Sequence, residues 1–372
     1  MQYTEYELGE LLPFEQPTAY IVKSTDYSDA YATPVLTAGK SFILGKTNET
    51  DGIFDQLPVI IFDDFTTATQ FVNFRFKVKS SAMKILHINT DLVIPKYIFY
   101  RLQIIQFDHS THKRYWIQSY SKIKVLIPPL DEQFRIVARI EELFSELDKA
   151  VDTLKTTKEQ LEVYRQAVLV DAFRVATNSI HLKIGYVCAK IVDCPHSTPK
   201  WEKNGKLCLR TTNFKRGYLD LQSPNYVSEE TFNDRNRRII PQPGDVLYSR
   251  EGSVLGIACT IPSNVYPCLG QRMMLLRSGE KLNNRYLMHY LNSPMVTNHV
   301  IATKGGTGSP HINVGDIKEF QIPIPSLEEQ SNIVRQIEEQ LSSCDNVEKT
   351  VDAILTQADA MRQSILKQAF EE

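Results

Sequence analysis

The feature that most constrains this chain is an internal repeat that divides its 372 residues into two halves. The sequence IPPLDEQ at 127–133 recurs as IPSLEEQ at 324–330, which is 197 residues later. The same offset continues without a gap for more than forty residues, as far as Phe173 and Phe370. A constant offset over this length is typical of a duplicated structural unit.

A weaker match opens each half of the chain. Residues Glu7–Leu11 resemble Lys183–Val187 at an offset of 176, so the second half carries 21 more residues between its two matches (197 − 176 = 21). The halves therefore share their ends and differ in the middle. This pattern indicates variable domains that are attached to a constant frame.

Each copy of the stronger match predicts a long helix. Prolines lie just before each predicted helix, and an acidic pair lies in its first turn, at 131–132 and at 328–329. Negative charge at this position interacts favourably with the positive end of the helix dipole. Neither segment contains Gly or Pro, and about forty residues at about 1.5 Å each make a rod of roughly 60 Å. Apolar residues recur in steps of three and four, a period typical of a coiled-coil seam. The seam positions are Val137, Ile140, Phe144, Leu147, Val151, Leu154, Leu161 and Val168 in the first copy, and Val334, Ile337, Leu341, Cys344, Val351, Leu355, Ala358 and Ile365 in the second.

An exposed seam of this length is unfavourable, so the simplest arrangement packs the two helices on each other. We therefore predict an α+β fold with a pseudo-twofold internal repeat, in which two β-rich globular domains are separated by an antiparallel intramolecular coiled coil. The predicted globular domains are 1–130 and 177–326, and the predicted helices are 131–176 and 327–372. The alternative is that each helix packs on its own domain or on another chain.

Both globular regions carry strand and short-helix patterns. Apolar runs predict strands at Val59–Phe62, Gly244–Tyr248 and Met273–Arg277, and an alternation of apolar with polar and basic residues predicts a strand at Phe71–Val78. Amphipathic patterns predict short helices at Pro95–Leu102 and Asn284–Leu291. Each region is therefore expected to be β-rich, with a short helix before the long one.

The net charge of −2 conceals an uneven distribution. The two predicted helices carry −9 together, because 131–176 holds 7 basic and 10 acidic residues and 327–372 holds 4 and 10. Residues 177–326 hold 18 basic and 11 acidic side chains, a net charge of +7, whereas 1–130 is neutral. A region of charge +7 is compatible with contact to nucleic-acid phosphates, and acidic helices are better suited to protein partners.

Several classes of protein are disfavoured. The strongest apolar run, Pro58–Phe62, is far shorter than the roughly 18 residues that span a bilayer, and the first residues carry no secretory signal, so we expect a cytoplasmic protein. The spacing of Cys188, Cys194 and His196 could begin a zinc site, but no fourth ligand follows, and buried thiols are the favoured interpretation. The glycine-rich segment Lys304–His311 lacks the phosphate-binding pattern of nucleotide hydrolases. No catalytic constellation stands out, so an enzyme is disfavoured.

The duplicated junctions, each followed by a helix that ends in the pattern RQxxLxxAF, resemble the specificity subunit of type I restriction-modification enzymes. Shorter segments are similar to the target-recognition domains of that family: TPVLTAGK at 33–40, IFDDFT at 61–66, PHSTP at 195–199, LRTTN at 209–213 and PGDVL at 243–247. The resemblance extends over nearly the whole chain.

This resemblance implies a non-catalytic DNA-binding subunit. Each recognition domain would read one half of a bipartite, gapped target on double-stranded DNA, with the halves roughly one helical turn apart, ~34 Å. Methyltransferase (M) subunits that carry S-adenosylmethionine and restriction/translocase (R) subunits that use ATP and Mg would assemble on it, so this chain would hold no cofactor and contact no membrane. A coiled-coil scaffold without DNA recognition is the alternative function.

Residue chemistry selects candidate DNA contacts, because basic, amide and hydroxyl side chains read bases or bind phosphates. In the second region they are Lys200, Arg210, Asn213, Arg250, Ser253, Gln271, Arg272 and the loop Gly305, Gly306, Thr307, Gly308 and Ser309. In the first region they are Lys40, Ser41, Thr66, Thr67, Thr69 and Gln70, whereas Asp63 and Asp64 are expected to cap or to form a turn. The candidates for partner contact are Glu141, Glu142, Glu338 and Glu339, on the acidic faces of the helices. For each residue the alternative is a solvated surface side chain.

Overall fold

The computed structural model describes residues 3–37, 41–108, 114–176, 179–303 and 310–371. Six of the residues predicted to contact DNA, Lys40 and the five of the loop Gly305–Ser309, lie outside these residues. The chain divides into two compact units: unit 1 comprises Met1–Leu154 and Ala353–Glu372, and unit 2 comprises Lys155–Asp352. Each unit therefore combines one β-rich region with parts of both long helices.

The first half of the chain ends in the first long helix. Its elements are β1 (Thr4–Glu7), α1 (Leu8–Leu11), β2 (Phe14–Glu15), β3 (Thr33–Leu36), β4 (Ile43–Thr47), β5 (Val59–Asp63), β6 (Thr69–Val72), β7 (Lys77–Val78), β8 (Met83–His87), α2 (Pro95–Leu102), α3 (Tyr115–Gln118), β9 (Lys124–Ile127) and α4 (Leu130–Val175).

The second half follows the same plan with extra elements. Its elements are β10 (His181–Lys183), α5 (Ile184–Val187), β11 (Cys188–Asp193), β12 (Lys206–Leu209), β13 (Phe214–Lys215), β14 (Tyr218–Leu219), β15 (Tyr226–Val227), α6 (Glu229–Arg235), β16 (Val246–Ser249), β17 (Ala258–Thr260), β18 (Cys268–Leu269), β19 (Met273–Ser278), α7 (Asn284–Asn292), α8 (Pro294–Thr303), α9 (Val314–Lys318), β20 (Gln321–Pro323) and α10 (Leu327–Glu371). The predicted α+β class and the two long helices are confirmed, since α4 has 46 residues and α10 has 45.

Each unit contains the same pair of sheets. In unit 1 an antiparallel sheet has the strand order β2-β8-β5-β6, and another has the order β4-β3-β7, with β3 and β7 parallel. In unit 2 the corresponding orders are β11-β19-β16-β17 and β15-β12-β18, with β12 and β18 parallel. The two halves therefore differ in sequence and loop length between their matched ends, but they share one sheet topology.

One predicted strand is wrong. The pattern at Phe71–Val78 predicts a single strand, but β6 ends at Val72 in one sheet and β7 begins at Lys77 in the other. Lys77 and both of its neighbours are buried, so β7 is covered on its two faces and its pattern cannot alternate. The buried ammonium of Lys77 donates to the carbonyl of Gly52 at 3.2 Å and lies 3.1 Å from a carboxylate oxygen of Glu49.

The weaker sequence match at the start of each half has a structural cause. A Cβ at Gly9 of α1 would lie 3.3 Å from the main-chain oxygen of Ser121, and a Cβ at Gly185 of α5 would lie 3.2 Å from that of Lys318. Contacts this short leave little room for a side chain. Ser121 and Lys318 are themselves 197 residues apart, so the same close contact is made once in each unit.

The stronger match contains a glutamine that joins the long helix to its recognition fold. In unit 1, Gln133 is fully buried near the start of α4. Its side-chain carbonyl accepts from the main-chain N–H of Ile94 at 2.8 Å, just before α2 begins. Its amide group donates to the carbonyls of Leu92 at 3.0 Å and Pro128 at 2.9 Å.

The second copy repeats this joint in unit 2. Gln330 is also fully buried, accepts from the N–H of Asn283 at 2.8 Å, and donates to the carbonyls of Lys281 at 3.0 Å and Pro325 at 2.9 Å. A buried amide is stable only when its donors and acceptor are satisfied, and three main-chain groups satisfy it in each unit. The duplicated glutamine therefore has the same structural role in both units.

The far end of each long helix supplies an aromatic ring to a core. Phe173, near the end of α4, lies in unit 2 with its ring 5.1 Å from that of Tyr286 on α7. Phe370, near the end of α10, lies in unit 1 with its ring 5.3 Å from that of Tyr97 on α2. Both pairs are edge-to-face, a favourable geometry for buried rings. This contact accounts for the repeated Ala-Phe at the end of the sequence match.

The long helices also contact each other inside each unit. In unit 2, Arg165 of α4 donates to Asp345 of α10 at 2.6 Å, and Lys158 donates to Asp352 at 2.8 Å. Lys158 lies seven residues nearer the start of α4 than Arg165, and its partner Asp352 lies seven residues nearer the end of α10 than Asp345. The two helices therefore run antiparallel within unit 2.

Unit 1 contains the counterpart of one of these ion pairs. Arg362 of α10 pairs there with Asp148 of α4, and these two positions are the repeat counterparts of Arg165 and Asp345. All sixteen positions of the predicted seam are buried or half-buried. The repeat thus places the same ion pair and the same apolar positions in both units.

The buried glutamines provide a test of this fold. We expect Gln133→Leu, and separately Gln330→Leu, to lower the free energy of unfolding by about 2–5 kcal/mol, because leucine leaves buried main-chain donors and acceptors without partners. Urea unfolding followed by circular dichroism measures this loss. Gln160→Leu, at an exposed position on α4, is the matched control and should change stability by less than about 0.5 kcal/mol. Equal stabilities of the three variants would contradict the assigned role.

Candidate nucleic-acid interface

Several predicted DNA contacts of unit 2 meet where its strands end. Arg250 follows β16 and Arg272 precedes its antiparallel neighbour β19, so their backbones pair, with the N–H of Arg250 donating to the carbonyl of Arg272 at 3.0 Å. Arg210 follows β12, and Gly270 follows the parallel neighbour β18, with the N–H of Gly270 donating to the carbonyl of Leu209 at 2.9 Å. Adjacent strands therefore bring residues that are distant in sequence to one edge.

Two further segments join this edge. The side-chain amide of Gln271 donates to the carbonyl of His196 at 2.7 Å, which places the PHSTP segment there. The N–H of Gly252 donates to the carbonyl of Pro310 at 2.9 Å, so the chain beyond residue 309 lies against the β16–β17 loop. We call the segments 195–200, 250–253 and 269–272, together with Arg210, the unit 2 loop edge.

Arg250 lies inside this edge rather than on its surface. Its guanidinium makes a bidentate pair with Asp193, at 2.8 and 3.0 Å, and only 9% of its side chain is exposed. His196 lies 3.1 Å from the same carboxylate. Because both prongs of its fork are occupied by Asp193, Arg250 holds the loop edge together instead of presenting donors outward.

Asn213 is likewise committed to the protein. It is buried, its side-chain carbonyl accepts from the N–H of Arg210 at 2.8 Å, and its amide donates to the carbonyl of Asp220 at 3.0 Å. This arrangement supports the backbone from which the Arg210 side chain projects.

Among the predicted DNA contacts at the unit 2 loop edge, the exposed side chains are Lys200, Arg210, Ser253 and Arg272. The guanidinium of Arg210 lies over the ring of Trp201 at 5.3 Å, a cation–π contact that limits its freedom. Arg272 has a positive φ of 66°, which is uncommon for a residue other than glycine, and its side chain is half exposed at 3.6 Å from Glu251. These side chains can donate hydrogen bonds to DNA without losing internal partners that are buried.

Sequence reasoning missed a basic hairpin beside this edge. Lys215, Arg216 and Tyr218, at the β13–β14 turn, are exposed. The N–H of Gly217 donates to the carbonyl of Ala258 at 3.0 Å, which fixes the turn beside the start of β17. The sequence signal was two consecutive basic residues before a glycine, followed by an aromatic residue, and the glycine has a positive φ of 96° in the structure.

Unit 1 places Asp64 where unit 2 has Arg250. The N–H of Tyr115 donates to the carbonyl of Asp64 at 3.0 Å, as the N–H of Ile312 does to that of Arg250. Asp64 is buried and pairs with the fully buried Lys84 at 3.2 Å. The corresponding positions of the two units, Asp64 and Arg250, therefore carry side chains of opposite charge.

The expectation that Asp63 and Asp64 cap or form a turn is confirmed. A carboxylate oxygen of Asp63 accepts from the N–H of Phe65 at 2.9 Å in the β5–β6 turn. A carboxylate oxygen of Asp64 accepts from the N–H of Trp116 at 2.9 Å in α3. Neither group is available for contact with a phosphate.

The remaining candidates of unit 1 occupy different settings. Thr66 is exposed and Thr67 half-buried in the β5–β6 turn, Gln70 is exposed on β6, and Ser41 is exposed before β4. Thr69 is buried and accepts from the side-chain amide of Gln103.

Unit 1 also exposes two side chains that sequence reasoning missed. Phe65 is exposed in the β5–β6 turn, and Lys79 is exposed after β7. The ammonium of Lys79 lies 5.7 Å from the centre of the Tyr27 ring.

The four acidic candidates for partner contact divide into two kinds. Glu141 pairs with Lys96 of α2, which raises the pKa of that lysine through the hydrogen bond. Glu338 pairs with Arg285 of α7 at 2.6 Å. Glu142 and Glu339 are exposed, although Glu142 lies 2.8 Å from Arg139 on the same helix. Glu141 and Glu338 thus connect the first part of each long helix to the short helix α2 or α7 of the same unit.

The cysteines are buried or half-buried thiols, as predicted. Burial raises the pKa of the Cys188 thiol to about 12, and it also raises that of Cys194, whose sulfur accepts from the N–H of Met273 at 3.4 Å. Within the described ranges, no group of three or more His, Cys, Asp or Glu side chains is arranged to hold a metal ion. None of the helices there is both long enough and apolar enough to cross a membrane.

The Arg250–Asp193 pair can be tested by removing one partner. We expect Asp193→Asn to lower the free energy of unfolding by about 3–5 kcal/mol, because the mutation leaves a buried guanidinium without its counter-charge. Asp234→Asn is the matched control, since its partner Arg237 is exposed, and it should change stability by less than about 1 kcal/mol. Urea unfolding of the two variants measures the difference. Similar losses in both would contradict the structural role of the pair.

Comparison with known proteins places this geometry in a family. Residues 192–357 match the family model described as the type I restriction modification DNA specificity domain. The specificity subunit of the Escherichia coli enzyme EcoR124I/EcoR124II is 33% identical over 339 residues, which cover 88% of this chain and 84% of that protein. The EcoKI specificity subunit of Escherichia coli strain K12 is 26% identical over 273 residues, or 68% of this chain and 58% of that protein.

Two solved structures share the fold. The HsdS subunit from Thermoanaerobacter tengcongensis aligns with a TM-score of 0.55 at 20% identity, over 99% of this chain and 96% of that one. A chain from a study of complex assembly and conformational transition in the type I R-M system aligns with a TM-score of 0.68 at 19% identity, over 99% and 97%. Together with the sequence relatives, the duplicated junctions and the paired sheets lead to one conclusion: this chain belongs to the family of type I restriction enzyme specificity subunits.

Proposed function

We propose that this chain is the non-catalytic, DNA-reading subunit of a type I restriction-modification complex, with one half-site read by each unit. The observation that carries the proposal is that two units with one sheet topology end in loops of different chemistry. A shared topology gives both units the same way of approaching a duplex, whereas different loops give them different base preferences. The target is therefore expected to be bipartite and asymmetric.

The chemistry of the loops supports DNA contact. Unit 2 exposes Arg210 and Arg272 at its loop edge and Lys215 and Arg216 at the neighbouring hairpin, within a region of net charge +7. Exposed guanidinium groups bind phosphates and can form bidentate contacts with guanine. Residues 1–130 of unit 1 carry no net charge and expose Thr66 and other polar side chains, so we expect unit 2 to contribute more of the salt-dependent affinity.

The gap between half-sites is the part of the proposal that depends on the long helices. We propose that α4 and α10 form an antiparallel intramolecular coiled coil that separates the two recognition domains. Its support is the buried seam and the ion pairs Arg165–Asp345 and Arg362–Asp148, each within one unit. Helices of constant length would impose a constant number of unread bases, with the half-sites roughly one helical turn apart, ~34 Å.

Partner binding is proposed from exposed apolar side chains. Leu126, Leu130 and Phe134 are exposed where α4 begins in unit 1, and Leu182 and Leu327 are exposed where α10 begins in unit 2. Leu130 and Leu327 are repeat counterparts, 197 residues apart, and clustered exposed apolar residues are typical of an interaction surface. We propose that methyltransferase subunits bind there and supply S-adenosylmethionine, and that restriction subunits supply the ATP and Mg chemistry. This chain would hold no cofactor, and the complex would be cytoplasmic.

Selection from a random duplex library tests the function. The full chain with its methyltransferase subunits is incubated with the library, and the bound duplexes are sequenced. The proposal predicts enrichment of two short, different sequences separated by a constant gap. Enrichment of an ungapped sequence would reject the separation by the helices, and enrichment of none would favour the scaffold alternative.

Charge reversal at Arg272 tests the unit 2 loop edge. We expect Arg272→Glu to weaken binding to the selected site by at least about ten-fold, because one exposed donor becomes a repelling charge. Lys318→Glu makes the same change on α9, beside Gly185 at the opposite end of unit 2, and should leave affinity within about two-fold. Fluorescence anisotropy at two salt concentrations measures both. Unchanged affinity of Arg272→Glu would remove this residue from the interface.

A further inference from the structure

Arg235 is a buried arginine whose contacts the proposed function has not used. It is the last residue of α6, and only 6% of it is exposed. Its guanidinium donates to four main-chain carbonyls. These are Leu269 at 2.6 Å, Gly270 at 3.0 Å, Pro195 at 3.2 Å and Ser197 at 3.2 Å.

This set of acceptors is unusual for a buried charge. Arg250 and Arg277 of the same unit each make a bidentate pair with an aspartate. Arg235 has carbonyl acceptors only, among the hydrogen bonds of the described residues. A buried cation is costly unless its donors are satisfied, and four charge-assisted hydrogen bonds satisfy this one. The acceptors must therefore stay where they are.

The four carbonyls belong to two separate segments of the unit 2 loop edge. The segment 195–200 carries the exposed side chains of His196, Ser197, Thr198 and Lys200. The segment 269–272 carries Gln271 and Arg272. Arg235 binds the backbone of both segments from the protein interior. The exposed side chains of the two segments therefore project from backbones that one buried side chain holds in place.

We infer that Arg235 is a positioning residue for sequence recognition by unit 2. It sets the separation and orientation of the two segments, and it does so without contacting DNA, because it is buried. The inference rests on the proposed function, since it assigns a role in base preference to a residue below the reading surface. Side chains that read bases must hold their donors within a few tenths of an ångström, and a loosened backbone loses this discrimination.

The role should be confined to one half of the target. α6 lies between β15 and β16, in the part of the second half that has extra residues, and the described residues of unit 1 contain no helix between β4 and β5. Unit 1 instead has the buried ammonium of Lys77, which donates to the carbonyl of Gly52 on a different loop. The half-site that unit 1 reads is therefore an internal control for any change at Arg235.

The experiment compares Arg235→Gln, Arg235→Lys and Arg237→Gln in the full chain with its methyltransferase subunits. Arg237 lies two residues away, and 78% of its side chain is exposed. Its variant therefore removes the same charge but leaves the contacts of Arg235 with the two loop segments intact. Each variant is selected against the random duplex library and then measured for affinity to the wild-type site. Thermal unfolding is recorded in parallel, to separate lost recognition from lost structure.

The inference predicts a loss of base preference in one half-site only. Arg235→Gln should bind the wild-type site at least about ten-fold more weakly and should tolerate mismatches in the unit 2 half-site, where each mismatch normally costs about five-fold or more. Preference in the other half-site should be unchanged. Arg235→Lys keeps the charge but loses the fork, so it should show a smaller loss in the same half-site. Arg237→Gln should keep the wild-type preference.

Two results would overturn the inference. One is a folded Arg235→Gln chain with wild-type preference in both half-sites. The other, which applies where Arg235→Gln does not fold, is a folded Arg235→Lys chain with wild-type preference and affinity. If the wild-type chain and Arg237→Gln themselves select no gapped target, the proposed function fails, and this result is distinct from a failure at Arg235 alone.

Discussion

One buried amide in each half determines how a long helix leaves its recognition fold. Gln133 and Gln330 occupy the first turn of α4 and α10, and each bonds three main-chain groups at almost identical distances. An amide satisfied on both sides has one allowed orientation, so the first turn of each helix is fixed to the start of α2 or α7. In the proposed function this stiffness would keep the separation of the two half-sites constant, because a helix that swivels at its base cannot do so.

Charge in the recognition region is divided between interior and surface. The +7 of residues 177–326 suggests a broadly basic face. Three of the arginines are occupied internally: Arg235 by carbonyls, Arg250 by Asp193 and Arg277 by Asp245. The charge available to DNA is therefore concentrated on fewer side chains, and the buried arginines maintain the geometry from which those side chains act.

Sequence reasoning succeeded where structure is local or repeated. The long helices follow from a period near 3.5 and from the absence of glycine and proline, and the close contacts at Gly9 and Gly185 follow from the matched offset. Sequence reasoning failed at Phe71–Val78, because β7 is covered on both faces, so its residues do not alternate between buried and exposed positions. It also missed that the unmatched middles share one sheet topology, because strand order depends on packing that many different sequences satisfy.

The candidate site shows the same limit more sharply. Arg250 and Arg272 have the same chemistry in the sequence, but the first is buried against Asp193, 57 residues away, and the second is half exposed. The sequence by itself determined the duplication, the two long helices and the chemical types that gather at the recognition loops, because periodicity and repetition are properties of the chain order. Only the tertiary structure decided which cations face outward and which brace the loops, since burial is set by segments that meet only after the chain has folded.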